Sequence, residues 1–165
     1  MPSKTQPKKK RQPNASTAPV TTAATDAASV STCPVVGIGA SAGGLAALEA
    51  FFSGMPADAD PGMAFVLVQH LDPDHDSLLA SLIARRTRMP VQEAQDGMPV
   101  AANHVYIIPP NRDMALLNGR LQLLEPSAPR GHRLPIDFLF CSLAADQQQR
   151  AIGIVLSGTG SDGTA

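Results

Sequence analysis

Tryptophan is absent, tyrosine occurs once, and aromatic residues make up only 4% of the 165 residues. Stacking platforms for single-stranded nucleic acid are therefore poorly supplied, and no nucleic-acid partner is expected. The two cysteines, Cys33 and Cys141, lie far apart and form no C-x-x-C pair, which argues against zinc and leaves them as ordinary thiols. No apolar run approaches the roughly 18 residues that a membrane-spanning helix needs, so no membrane insertion is expected. Nor is export: the basic start is followed by Thr- and Ala-rich sequence without a Leu-rich stretch. Charge is sparse as well, at 16% against 44% hydrophobic content. That balance excludes a wholly disordered chain and suits one globular domain with a real core.

The charge that is present is unevenly spread. Lys4, Lys8, Lys9, Lys10 and Arg11 face the single acid Asp26 near the start, so with a formal net charge of -1 overall the remainder is net acidic. Residues 1–33 contain little to bury, and ordering them would cost backbone entropy without compensation. They are expected to form a disordered basic tail rich in Pro, Thr and Ala. Its PKKKRQ segment, Pro7 to Gln12, resembles a localisation or nucleic-acid patch but is read as solvated charge.

From residue 34 the pattern changes to alternating strands and helices. Val35 to Ala40 is an apolar strand, and Leu45, Leu48, Phe51, Phe52 and Met55 recur at helical spacing before Gly54 and Pro56. Met63 to Val68 reads as a strand buried on both faces. Asp76 or Ser77 then caps a helix through Leu78, Leu79, Leu82 and Ile83, which closes on Arg85, Arg86 and Arg88. Val91 to Ala94 and Val105 to Ile108 are further strands. Asn118-Gly119 between Met114–Leu117 and Leu121–Leu124 predicts a type I' surface hairpin. Ile136 to about Arg150 reads as a helix and Ala151 to Leu156 as a final buried strand. The whole predicts a doubly wound α/β domain, a parallel sheet in a three-layer α/β/α sandwich.

In such sheets ligands and catalytic groups gather at the carboxyl ends of the strands. Ser41 follows the first strand, His70 the second and Asp162 the last. Gly39-Ala40-Ser41-Ala42-Gly43 has the G-x-S-x-G spacing of a nucleophile elbow. A serine needs a base to take its proton, and an imidazole needs a carboxylate to fix its tautomer; the three positions supply one of each. The same stretch also fits a dinucleotide fingerprint, Gly37-Ile38-Gly39-Ala40-Ser41-Ala42, but Gln69 and His70 stand where that motif expects an acid. Asp58 and Asp60 lie before the second strand rather than after it. Asp162 alone would also serve as the cap of a following helix. The glycine-rich turn from Gly158 to Gly163 offers backbone N–H groups for an oxyanion hole facing Ser41.

Other polar clusters carry less. Asp72-Pro73-Asp74-His75-Asp76 imitates half a calcium loop but has Ser77 where glycine is required and Ile83 where glutamate is. His104 and His132 are isolated, and Arg130 and Arg133 read as loop charge. No metal or organic cofactor is expected.

Six blocks in order resemble the chemotaxis receptor protein-glutamate methylesterases, the CheB-type methylesterases: VVGIGASAGGLAALEAFF, FVLVQHLDPDHDSLLA, PVQEAQDGMPV, HVYIIPPNRD, RLPIDFLFCSLA and IGIVLSGTGSDGTA. The resemblance runs from Val35 to the last residue. It implies a cytoplasmic serine hydrolase that cleaves glutamyl methyl esters on the helical cytoplasmic region of chemoreceptors or related signalling proteins, and that deamidates particular glutamines there. It implies Ser41 as nucleophile, His70 as general base and then acid, and Asp162 as the residue orienting His70. It further implies backbone donors at Thr159 and Ala42 for the oxyanion. Those two positions depart from the family's usual Met and Thr, changes a backbone donor tolerates. The pattern is closer to the methylesterase module that opens hybrid proteins, in which methyltransferase and sensory domains follow. With no receiver domain ahead of it, control by a phosphorylated receiver is not expected. The family domain continues beyond the position of Ala165, so residues 34–165 are expected to be a C-terminally truncated catalytic domain with an uncovered sheet edge and poor solubility. The alternative from another class is a catalytically silent docking module.

Overall fold

The computed structural model describes residues 33–41, 43–56, 58–69, 76–126, 128–129, 132–158 and 161–164. The tail through residue 32, His70, Ala42, Thr159, the Asp72–His75 loop and Arg130 lie outside the described residues.

The elements follow in the order β1 (Val35–Ala40), α1 (Gly44–Ser53), β2 (Ala64–Gln69), α2 (Asp76–Ala84), β3 (Val91–Glu93), β4 (Val105–Ile107), β5 (Asp113–Leu117), β6 (Arg120–Leu124), α3 (Pro135–Gln147) and β7 (Ala151–Ser157). Five strands form one sheet in the order β3-β4-β2-β1-β7, and every pairing in it is parallel. The strands read as continuous apolar runs because helices cover both faces. One face packs Val36, Ile38, Phe65 and Leu67 against Leu48 and Phe52 of α1 and Leu79 and Ile83 of α2. The other packs Val35, Val66 and Val68 against Ile136, Leu139 and Leu143 of α3 and against Met114, Leu116 and Leu121 of the hairpin. The result is the three-layer α/β/α arrangement expected of the sequence pattern.

The β5–β6 hairpin turns at Asn118 and Gly119, with φ of 52° and 68°, the double positive φ of a type I' turn. Its tip is held from α3: both carboxylate oxygens of Asp146 accept hydrogen bonds, one from the Asn118 amide and one from the Gly119 amide.

The last strand departs from expectation. β7 pairs with β1 alone and forms one edge of the described sheet, and Ile152 and Val155 are 39% and 49% exposed. Its apolar run suggested burial on both faces, but hydrophobicity registers a strand's composition and not the presence of a neighbour.

The glycines of β1 have a packing role. Val36, Ile38 and Ala40 point toward α1 and α2, so Gly37 and Gly39 fall on the α3 side. A Cβ at Gly37 would lie 2.9 Å from Leu143 Cδ2, and one at Gly39 would collide with the Ile136 side chain. The missing side chains let α3 settle directly on the strand. Gly39→Ala should therefore destabilise the chain by about 1–3 kcal/mol through overpacking. Paired with Ile136→Ala, its cost should be markedly smaller than the sum of the single effects, as read from denaturant midpoints.

Candidate active site

Ser41 is the first residue beyond β1. Its amide donates to the Ser157 carbonyl at 2.7 Å, and its own carbonyl accepts from the Gly44 amide at 2.8 Å. Gly43 has φ 75° and ψ 1°, the dihedrals of the third residue in a type II turn, a conformation that a side chain makes costly. The sharpness of the elbow thus comes from Gly43, whereas Gly39 serves the helix packing. α1 begins immediately afterwards, with no side-chain cap on its first amides.

β7 approaches the same turn. Gly39 faces Val155 but Ala40 faces Ser157, so β7 carries one extra residue, a bulge of the kind that re-aims chain at sheet ends and active sites. The bulge sets Ser157 and Gly158 beside the serine: a Cβ on Gly158 would sit 3.2 Å from Ser41 Cβ.

Asp162 closes the loop after β7. Its carboxylate accepts from the Ile136 amide at 3.1 Å and from the Asp137 amide at 2.9 Å. These are the second and third residues of α3, whose own N-cap position is Leu134, with no capping side chain, followed by Pro135. Asp162 therefore caps α3 from 26 and 25 residues downstream and places negative charge at the positive end of that helix. The helix it caps precedes it in the chain, not follows it. Two acceptor oxygens carry about four lone-pair sites, so capping and orienting an imidazole are compatible roles for one carboxylate.

Of the positions singled out in the sequence, Ser41 and Asp162 are described at the carboxyl ends of neighbouring strands β1 and β7. Gln69 ends β2 and lies opposite Ala40, so the strand leading to His70 is the other neighbour of β1. Among the described residues Gln69 Oε1 is buried with no hydrogen-bond partner, an arrangement that costs about 1–3 kcal/mol and draws attention to a site. Asp58 and Asp60 line a depression of about 260 Å³ with Arg88, Met89, Pro90 and Asn103, at the amino ends of the strands. They lie at the opposite end of the sheet from Ser41, where a ribose-binding acid would not serve. His104 Nδ1 pairs with the Ala102 carbonyl at 2.8 Å and its ring stacks on Tyr106; Arg133 Nε donates to the Ala128 carbonyl. Burial pushes the Tyr106 phenol above its ordinary value, opposed by the hydrogen bond from the Ala101 amide. That perturbation is structural, since Tyr106 belongs to the core beneath the hairpin. Among the described residues, Cys33 and Cys141 form no disulfide. Among the described residues no group of three or more His, Cys, Asp or Glu is placed to hold a metal, and no helix is long and apolar enough to cross a membrane.

Sequence reasoning missed Asp137, which belongs to the same cluster: its Oδ1 accepts from the Gly163 amide at 2.7 Å. An acid in the first turn of a helix is a visible signal, but its partner 26 residues away is not.

Residues 36–165 match the family model described as CheB methylesterase. The chain belongs to that family. The CheB-type domain is 35% identical over 133 residues to "Protein-glutamate methylesterase/protein-glutamine glutaminase 2" of Xanthomonas oryzae, covering 78% of this chain and 36% of that protein. Against the Escherichia coli protein-glutamate methylesterase/protein-glutamine glutaminase, it is 32% identical over 135 residues, covering 79% of this chain and 38% of that protein. A 104.1 kDa uncharacterised protein of Rhodobacter capsulatus is 51% identical over 86 residues, 52% of this chain and 9% of that protein. The chain thus spans little more than a third of the length of the methylesterase relatives and far less of the Rhodobacter protein. Among solved structures, the Thermotoga maritima CheB methylesterase catalytic domain superposes with a TM-score of 0.70 at 28% identity, covering 81% of this chain and 71% of that one. The parallel sheet with its flanking helices is the fold of that domain.

The capping geometry has a consequence separable from chemistry. Asp162→Ala should lower stability by about 0.5–2 kcal/mol, the cost of an N-cap, whereas Asp162→Asn should retain most of it. Urea denaturation monitored by circular dichroism measures both.

Proposed function

We propose that this CheB-type domain is a cytoplasmic serine hydrolase that removes methyl esters from glutamyl side chains of chemoreceptors or related signalling proteins. Ser41 is the nucleophile, His70 the general base and then acid, and Asp162 the residue that fixes the imidazole's tautomer. The observation that carries this reading is the strand order β2-β1-β7. In a parallel sheet it makes neighbours of the three strand ends that lead to these residues, with Ser41 tied to Ser157 by its amide. The names of the relatives, protein-glutamate methylesterase and protein-glutamine glutaminase, support the same chemistry.

In the reaction, Ser41 Oγ adds to the ester carbonyl as its proton passes to the His70 imidazole. The carbonyl oxygen becomes an oxyanion, for which the backbone N–H groups of Ala42 and Thr159 are the donors. Collapse expels the methoxy group, which takes the proton from the imidazolium and leaves as methanol. Water, deprotonated by His70, then hydrolyses the glutamyl-serine ester and restores the serine. With a glutamine substrate the leaving group is ammonia and the remaining steps are the same, which accounts for the second half of the relatives' names. No step requires a metal or an organic cofactor. The Rhodobacter relative, 104.1 kDa in mass, supports placement of such a domain within a larger, multi-domain protein.

Ser41→Ala should reduce methanol release from a methyl-esterified chemoreceptor fragment by at least about a thousandfold. A variant that keeps its rate would leave the domain a docking module. For the wild-type chain, kcat/KM should fall as the pH is lowered, because a protonated His70 can no longer accept the serine proton.

A further inference from the structure

Two acids meet at the amino end of α3. Asp162 reaches in from the loop after β7 and accepts from the amides of Ile136 and Asp137. Asp137, the third residue of the helix, reaches out in return and accepts from the amide of Gly163 at 2.7 Å. This is the logic of a capping box, in which the cap side chain takes a first-turn amide and the third helical residue takes a backbone amide at the cap. In the usual box both partners lie within four residues. Here they lie on segments 25 and 26 residues apart, and the residue that supplies the cap is the proposed triad aspartate.

Gly163 has little freedom left. It has φ +93°, and a Cβ there would lie 2.8 Å from Val155 Cγ2 and 3.1 Å from Ile136 Cγ2. Its amide is the donor that follows Asp162 directly in the chain. Holding that amide fixes the backbone on the far side of Asp162, while the α3 amides fix its carboxylate.

We infer that Asp137 is a positioning residue for the esterase reaction: by accepting the Gly163 amide it holds the loop after β7 so that Asp162 presents a fixed carboxylate to His70. This role rests on the esterase reading given above. Asp137 itself does not touch the substrate, and it acts as a hydrogen-bond acceptor, not as a charge.

The test uses the full chain with a peptide carrying a glutamyl γ-methyl ester, and compares wild type, Asp137→Ala, Asp137→Asn and Ser41→Ala. Loss of the latch should lower kcat by about ten- to a hundredfold, the effect of a misplaced catalytic group, with KM within about twofold of wild type. The acid limb of kcat/KM should move to lower pH in Asp137→Ala, because an imidazolium with a poorly held carboxylate loses its proton more readily. Asp137→Asn keeps an acceptor oxygen and should restore kcat to within about threefold of wild type, with the acid limb unmoved. If Asp137→Ala does not fold, the asparagine variant alone decides: folded but as inactive as Ser41→Ala, it overturns the role. An alanine variant that folds and keeps both kcat and the acid limb overturns it equally. So does an asparagine variant no better than alanine, since charge and not acceptance would then be what matters. Wild type no faster than Ser41→Ala would instead sink the esterase reading, and this role with it.

Discussion

Ile136 touches three parts of the structure at once. Its side chain lies where a Cβ on Gly39 would be, and its Cγ2 bounds the space beside Gly163, while its backbone amide donates to Asp162. One residue at the start of a helix therefore sets the height of that helix above β1 and bounds the space at Gly163, and it satisfies one oxygen of the proposed triad carboxylate. Interiors are packed closely enough that such a contact has one good position rather than a range.

Parallel pairing supplies the rest of the geometry. Because β2, β1 and β7 run in the same direction side by side, their carboxyl ends form a single rim, and residues distant in sequence arrive there without any dedicated connection. The bulge in β7 adjusts that rim locally, advancing Ser157 and Gly158 against Ser41. Preorganisation of this kind is inexpensive at the moment of reaction because the backbone hydrogen bonds that create it form when the domain folds.

Much of this was legible in the residues. Uninterrupted apolar runs such as Ala64–Val68 announced strands covered on both faces, Asn118-Gly119 announced the hairpin, and the glycine-flanked Ser41 was legible as the residue that follows β1. Three features were not. The glycines of β1 matched two motifs on letters alone, and only the position of Ile136 on α3 distinguishes a glycine needed for packing from one needed for a turn, as Gly43 is. The edge position of β7 depends on which strand lies beside it, which its own composition does not encode. The capping of α3 by Asp162 joins residues too far apart for any local rule, since the helix begins at Leu134-Pro135 with no polar cap to announce its start.

The bond from Asp146 to the hairpin tip acquires a mechanical meaning when set beside the bonds at the other end of α3. At its start the helix gives two amides to Asp162; near its finish it contributes a carboxylate to the amides of Asn118 and Gly119. Thirteen residues at about 1.5 Å each make a rod roughly 20 Å long, pinned by charged fastenings at both ends. Such a strut cannot slide along its axis without breaking one fastening or the other, so the reactive rim and the hairpin, on separate sheets, share a common frame of reference.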